Sequence, residues 1–301
     1  MQKRPVSHGP FLLTLSELKA MMNPMRLMLT LLVFLCAAPT SAHEYWLQAQ
    51  PFNPPAMGAT ELTIHVGQYF EGEKLPFTSA YIVGLRQYAC GKEQDLMSQV
   101  PAGVAVGQFK LQLSCAGTHL IALDSHPSLV TLPADKFSAY LHDEGLDDII
   151  KRREATGDAA KPGRERFRRN IKTLLAINAK NKASMTTQTA QRLQIVPAQD
   201  TLTQAPGTAM RFQVLFEGKP LANRLVKAWY KHDGQTLLIR THSDAGGKLV
   251  FNFPYAGLWM LSVVHMVAAT ETAEADWDSY WGNLTFDLAG RSPAGRTQSS
   301  N

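Results

Sequence analysis

The sequence predicts a mainly β protein: two β-sandwiches joined by a helical connector, exported behind a cleaved leader. Three observations carry this prediction. An apolar run of leader length stands near the start. Short alternating stretches bounded by turns occupy both the first and last thirds of the chain beyond that run. Between them the hydrophobic period switches to that of helices. The predicted parts are a signal peptide with an upstream extension over 1–42 and a first sandwich over 43–132. A helical connector over 133–190, a second sandwich over 191–288 and a disordered tail over 289–301 complete the chain.

The leader comes first. Arg26 precedes the apolar run Leu27–Ala38, which is followed by Pro39 and the small residues Thr40, Ser41 and Ala42. That is the charged-apolar-small order of a secretory signal, and the run is too short to span a bilayer as a helix. Met21, Met22 and Met25 are alternative starts, because the first twenty residues add nothing a signal needs. Cys36 follows Leu35, where a lipoprotein site requires a small residue, so lipidation is excluded. Cleavage after Ala42 gives a soluble periplasmic or secreted chain beginning at His43, with no stable membrane insertion. Two cysteines remain in it, Cys90 and Cys115, and in an oxidising compartment an even pair points to one disulfide. The formal charge of +5 comes partly from one basic patch, and export argues against a nucleic-acid partner.

In the first sandwich, "ELTIHVG" places Leu62, Ile64 and Val66 on one face and Glu61, Thr63 and His65 on the other. "VGQFKLQLSCAG" and "THLIALDS" continue the pattern. In "PADKFSAYLHDEGLDDIIKRREA", Phe137, Tyr140 and Leu141 recur at helical spacing, and Gly145 divides two helices. "RERFRRNIKTLLAINAK" reads as a further helix. From Gln194 the β pattern returns, with Asp233-Gly234 as a hairpin turn and "SDAGG" as the next one. This second unit resembles the immunoglobulin-like or carboxypeptidase-regulatory-like sandwich in its "GKPL" strand entry and "DAGGK" turn. "AGRSPAGRTQSSN" has the composition of a disordered tail.

Enzyme signatures are absent: there is no G-x-S-x-G, Walker loop, HExxH or CxxC, and no carboxylate pair is placed by spacing. The chain is therefore read as a non-enzyme. Its chemistry rests on histidines. A terminal His43 offers amine and ring nitrogen to one metal ion, a nitrogen-rich set that favours Cu(II) or Ni(II) over zinc. His265 falls in phase with Trp259, Leu261 and Val263 on an apolar face and is the second candidate ligand. A core hydrogen bond would serve such a histidine equally well. His65 is a reserve ligand on the polar face of its strand, and Asp276 is a carboxylate available to complete the shell. The hairpin turn at Asp233-Gly234 sets His232 opposite Gln235 and His242 opposite Leu225, so those two cannot share a metal. His126 and His142 read as solvated, and His119 has no evident partner. "DWDSYWGNLTF" carries Trp277, Tyr280, Trp281 and Phe286, which read either as core closure or as an exposed carbohydrate platform. "GRERFRR" reads as a solvated helix face that could also hold an anion.

Taken together, "AHEYWLQ", "HVGQYFEGE", "DKFSAYLHDEGLDDIIKRR", "GRERFRRNIKTLL", "VLFEGKPL", "AGLWMLSVVHM" and "DWDSYWGNLTF" resemble domain-of-unknown-function family 4198. These are exported proteins often labelled nickel-uptake substrate-specific components. The resemblance runs from His43 to Phe286. It implies a role in uptake or handling of nickel, cobalt or a related transition metal such as copper, in concert with a membrane transporter component. Carried over by position, His43 and His265 match the family's pattern. The expected function is thus a soluble periplasmic transition-metal-binding protein. The alternative is an exported carbohydrate-binding or adhesion module with no metal role, in which Trp277 and Trp281 are exposed. A copper-dependent oxidase is a third class, for which no axial ligand or substrate surface is identifiable. Processing is directly testable: N-terminal sequencing of the exported protein should read His-Glu-Tyr-Trp, and any other start removes the amine ligand.

Overall fold

The structure is a computed structural model that describes residues 43–55, 58–104, 106–177, 183–198 and 203–288. The leader and the C-terminal tail read from the sequence lie outside the described residues. The fold is mainly β, with two sandwich-like halves and a short helical stretch in the chain between them. The first half contains β1 (Glu44–Gln50), β2 (Ala59–Gln68), β3 (Glu71–Leu75), β4 (Ile82–Ala89), β5 (Lys92–Asp95), β6 (Phe109–Gln112), β7 (Gly117–Ser125) and β8 (Ser128–Leu132). Helices α1 (Ala134–Asp143) and α2 (Asp147–Ala155) follow, then the long strand β9 (Gly163–Ile177). The second half contains β10 (Leu193–Pro197), β11 (Ala209–Phe216), β12 (Lys219–Pro220), β13 (Leu225–His232), β14 (Gln235–His242), β15 (Lys248–Asn252), β16 (Gly257–Ala268) and β17 (Trp277–Leu288).

One nine-stranded sheet runs through both halves in the order β14-β13-β16-β17-β9-β7-β4-β5, with β8 paired to the start of β9. Every pairing in it is antiparallel except β17 with β9, where the halves meet in parallel. Because side chains alternate along a strand, each face collects its own core. On one face Ile121, Leu123, Ile171 and Leu175 pack under the small sheet of β1, β2, β3 and β6 through Leu47, Leu62 and Ile64. On the opposite face Leu120, Leu174, Trp259, Leu261, Leu284 and Phe286 pack under the sheet of β10, β11, β12 and β15 through Ile195, Phe212, Val214 and Phe251. Among the described residues no helix is long and apolar enough to cross a membrane.

The helix pair forms as its spacing predicts. Phe137, Tyr140 and Leu141 are buried, with Ile149 from α2, against Val264, Met266, Trp277 and Trp281. Gly145 takes φ +68° at the break, and a Cβ there would stand 2.6 Å from Leu225 Cβ. Both chirality and space demand glycine. The third predicted helix is wrong: "GRERFRRNIKTLLAI" is β9, bonded to β7 on one side and β17 on the other. A strand covered on both faces loses the two-residue alternation that marks a half-buried one. From Arg169 to Ile177 every residue of β9 is buried.

Cys90 and Cys115 are bonded, with their Cα atoms 6.4 Å apart. Cys90 lies in the tight turn between β4 and β5, Cys115 in the segment entering β7, so the bond ties an edge hairpin to an interior strand. Free-thiol titration of the unfolded, unreduced mature protein should find none. Replacing both cysteines by alanine should cost about 3 kcal/mol, as chain entropy gives for a loop of this size, read by denaturant unfolding.

Candidate functional site

The mature terminus proposed from sequence leads directly into a buried polar cluster. Glu44 opens β1, opposite Gly67, and its carboxylate Oε1 accepts from Ser262 Oγ at 2.8 Å. Trp229 Nε1 donates to the same Ser262 oxygen at 3.0 Å. Lys227, the lateral neighbour of Ser262 in the sheet, places Nζ 2.9 Å from Glu144 Oε1 and 3.4 Å from Asp143 Oδ2. Glu44 and Glu144 are 5% and 6% exposed. Burial raises the Glu44 carboxyl and pushes Glu144 up to about 7, with Lys227 opposing both. Burial also pulls on the Lys227 ammonium, but Glu144 and Glu44 outweigh it and leave its pKa raised.

A cavity of about 90 Å³ opens above this cluster, lined by Glu44, Tyr69, Asp143, Glu144, Lys227 and Arg240 among others. Three carboxylates face two cations there, which leaves the lining one negative charge in excess when all are ionised. Tyr69 caps it from a strained turn. Tyr69 and Phe70 take φ of 55° and 57°, a left-handed conformation that is an outlier for aromatic side chains. Packing holds them there. Phe70 is buried edge-on to Trp46 at 5.2 Å, and Tyr69 meets Trp229 edge-on at 6.2 Å. Thr236 Oγ1 donates to the Tyr69 carbonyl at 2.8 Å.

His43 is exposed and lies immediately ahead of Glu44. His65 pairs with Trp46 across β1 and β2, and its ring stacks on the indole at 5.2 Å. Its Nε2 lies 2.8 Å from Thr63 Oγ1. The sequence reading places His43 beside the strand that carries His265, and Glu44 does dock on that strand, β16. Glu44 docks on the face of β16 that carries Ser262, whereas His265 points from the opposite face against Phe216, ring centroids 4.4 Å apart. Three residues along a strand reverse the face. Burial, reinforced by Arg224, brings the His265 pKa down to about 4, so its ring is neutral, and Nδ1 has no hydrogen-bond partner. Asp276 is taken by Arg164, which donates to Oδ1 at 2.5 Å and Oδ2 at 3.1 Å. It is therefore not a free ligand to a site at His43.

Sequence reasoning missed His119. It is fully buried in β7. Its ring is held between Gln87 Nε2, 2.7 Å from Nδ1, and the Cys115 carbonyl, 3.0 Å from Nε2. Among the described residues, the one group of three ligand-type side chains that could in principle chelate a metal is Cys90, Cys115 and His119, with ligand atoms within 4.8 Å of one another. The Cys115-x3-His119 spacing is the signal that could have found it. In the oxidised protein this set does not fit a metal. Both sulfurs are spent in the disulfide, and an amide donor on Nδ1 with a carbonyl acceptor at Nε2 leaves neither ring lone pair free.

Trp277 and Trp281 are 7% and 5% exposed. Trp281 stacks on Tyr140 at 5.8 Å and on the Arg169 guanidinium at 4.2 Å. The aromatic run closes a core, the plainer of its two sequence readings, and offers no exposed platform.

The family description "Domain of unknown function (DUF4198)" matches residues 40–267, most of the chain. The chain belongs to that family. No curated protein matches it. Among solved structures it is similar to one described as giving structural insight into host cell surface retention of a 1.5-MDa bacterial ice-binding adhesin. That match has 11% identity and TM-score 0.20, covering 82% of this chain and 66% of that one. Three N-terminal domains of the bacteriophage RB49 Highly Immunogenic Outer Capsid protein match at 12% identity and TM-score 0.18, covering 81% of this chain and 59% of theirs. The D0-D1 domain of intimin matches at 10% identity and TM-score 0.18, covering 82% of this chain and 98% of that one. Likeness at that level carries no functional argument for this DUF4198 member.

The buried acids make a pH signature. Glu144 titrates near its ordinary value when unfolded and at about 7 when folded. Its contribution is therefore fully present at pH below the unfolded value and is lost as pH rises through 7. Thermal unfolding midpoints should fall between pH 5 and 8 more steeply in the wild type than in Glu144→Gln. Equal slopes in the two would remove Glu144 as the titrating group.

Proposed function

We propose that this DUF4198 member is an exported, non-enzymatic binding protein that handles a transition-metal ion at its processed N-terminus. The observation that carries the reading is the position of His43, exposed and directly ahead of Glu44, whose side chain enters a cavity with an excess of carboxylates. Cleavage after Ala42 adds a free amine to the His43 ring at that place. Amine and imidazole would hold the ion as a chelate, and the exposed Asp143 carboxylate on the cavity wall is an oxygen donor type for the same ion. Glu44 and Glu144 beneath supply negative potential, while Lys227 holds them in place. Such a nitrogen-rich set suits Ni(II) or Cu(II), with Co(II) weaker in the general affinity order. A membrane transporter component is the partner such a carrier would require.

A second reading, an exported saccharide-binding or adhesion module, draws on another observation. Tyr255 is 55% exposed and stacks on Tyr230 at 5.5 Å, leaving one ring face to solvent.

Calorimetric titration of the mature protein with Ni(II) and Cu(II) separates the two. Mature protein starting at His43 should bind one ion, and a variant with one glycine added ahead of His43 should lose tenfold or more in affinity, about 1.4 kcal/mol, with an unchanged melting temperature. Binding should weaken as pH falls, because protons compete for the nitrogen lone pairs. Equal affinity in both proteins removes the terminal chelate.

A further inference from the structure

A larger cleft lies elsewhere, and the proposed metal reading does not use it. It has a volume of about 730 Å³ and is formed by α2, the turn after it, the start of β9 and the loop entering β17. Arg152, Arg153, Lys161 and Arg164 line it against two carboxylates, Asp158 and Asp276. Three of these cations are occupied. Arg164 forks onto Asp276, and Lys161 Nζ is 2.6 Å from Asp158 Oδ1. Arg153, 3% exposed, donates through Nη2 to the carbonyls of Asp158 at 2.9 Å and Lys161 at 2.6 Å. That pair of bonds fixes the wall of the cleft, with the guanidinium 4.8 Å over the Phe137 ring. Arg153 Nε is buried there with no partner.

Arg152 is the cation left over. It is exposed, its guanidinium lies 5.5 Å over the Trp277 ring, and among the described residues no carboxylate pairs with it. An arginine laid on an indole is held in one orientation, so less freedom is lost when its fork meets an oxyanion. The exposed Thr131 adds a hydroxyl to the lining. The volume falls in the range of small-molecule sites and exceeds what an inorganic ion fills.

We propose that this cleft binds a sugar-sized organic anion, with Arg152 taking its carboxylate or phosphate group and Trp277 holding Arg152 in place. Guanidinium recognises both oxyanions, so the test carries one arm for each. The mature protein, without added metal, is titrated by calorimetry with glucuronate, glucose 6-phosphate, glucose and inorganic phosphate. The expected result is saturable binding of glucuronate or glucose 6-phosphate at one site, weakened by salt, with no binding of glucose. Arg152→Gln should lower that affinity about tenfold or more, the loss expected for a hydrogen-bonded charge, at an unchanged melting temperature. Arg152→Lys keeps the charge without the fork and should recover only part of it, which keeps the test decisive if the glutamine variant folds poorly. Glucose binding as well as glucuronate would overturn the anion assignment. Inorganic phosphate binding as tightly as the sugar anions would reduce the cleft to an adventitious ion site. Unchanged affinity in both Arg152 variants, or no binding of either sugar anion, would also overturn it. None of these outcomes bears on the terminal metal, which is absent from the titration.

Discussion

The parallel pairing of β9 with β17 is the constraint on which the rest of the molecule depends. It joins the two halves into one sheet and decides which residues share a face. At its entry Arg166 donates to both oxygens of Asp278, at 2.5 and 2.8 Å, from the position directly opposite in register. Arg164 does the same to Asp276, and Glu271 draws in both Arg166 and Arg168. A slip of one residue would turn these arginines toward the helix-packed side of the sheet and Phe167 toward the side they occupy. The forked pairs therefore act as a register lock, a more specific contribution than their modest net stability.

With the register fixed, one face of the sheet becomes a place where charge is buried. Lys227, Ser262 and Asn283 lie side by side across β13, β16 and β17, Glu44 and Glu144 come down on that face, and Arg169 of β9 adds to it from within the sheet. A core of this kind is electrostatically expensive, since each ion loses its water. The arrangement answers part of the cost with partners: Lys227 between acids, and Arg169 between the rings of Tyr45 and Trp281 at 4.1 and 4.2 Å. The part left unanswered shows in the two acids, whose carboxyls burial holds above their ordinary values despite Lys227.

Much of the fold was legible in the sequence because half-buried strands advertise themselves. The hairpin at Asp233-Gly234 sets His232 against Gln235 and His242 against Leu225, as turn chemistry required, and the α1–α2 break falls at Gly145. What escaped was set by tertiary cover. β9 read as a helix because cover on both faces erased its alternation, and three arginines of the basic run, Arg164, Arg166 and Arg168, form one row of that strand, paired with acids more than a hundred positions away. His119 escaped because its partners, Gln87 and the Cys115 carbonyl, come from the neighbouring strand and from the segment closed by the disulfide.

The fate of the histidines shows where sequence phase informs and where it misleads. Phase placed His265 on an apolar face, and the structure agrees, but an apolar face of a two-sided sheet can look toward either layer. His265 looks toward β11 and Phe216, with burial, aided by Arg224, keeping its ring neutral. His43 precedes a strand that lies on the other layer. A ligand set for an ion at the mature terminus has to be gathered from the layer that β1 belongs to. On that layer the available donors are the carboxylates of the cavity wall, and no second imidazole among the described residues is placed to join them: His65 is on the same small sheet but stacks on Trp46 and bonds to Thr63. In the proposed reading, a terminal chelate over acids therefore stands in place of a two-histidine brace. That exchange favours a site that takes up and releases its ion over one that holds it tightly, because water-exposed carboxylate is a weaker transition-metal donor than a second imidazole.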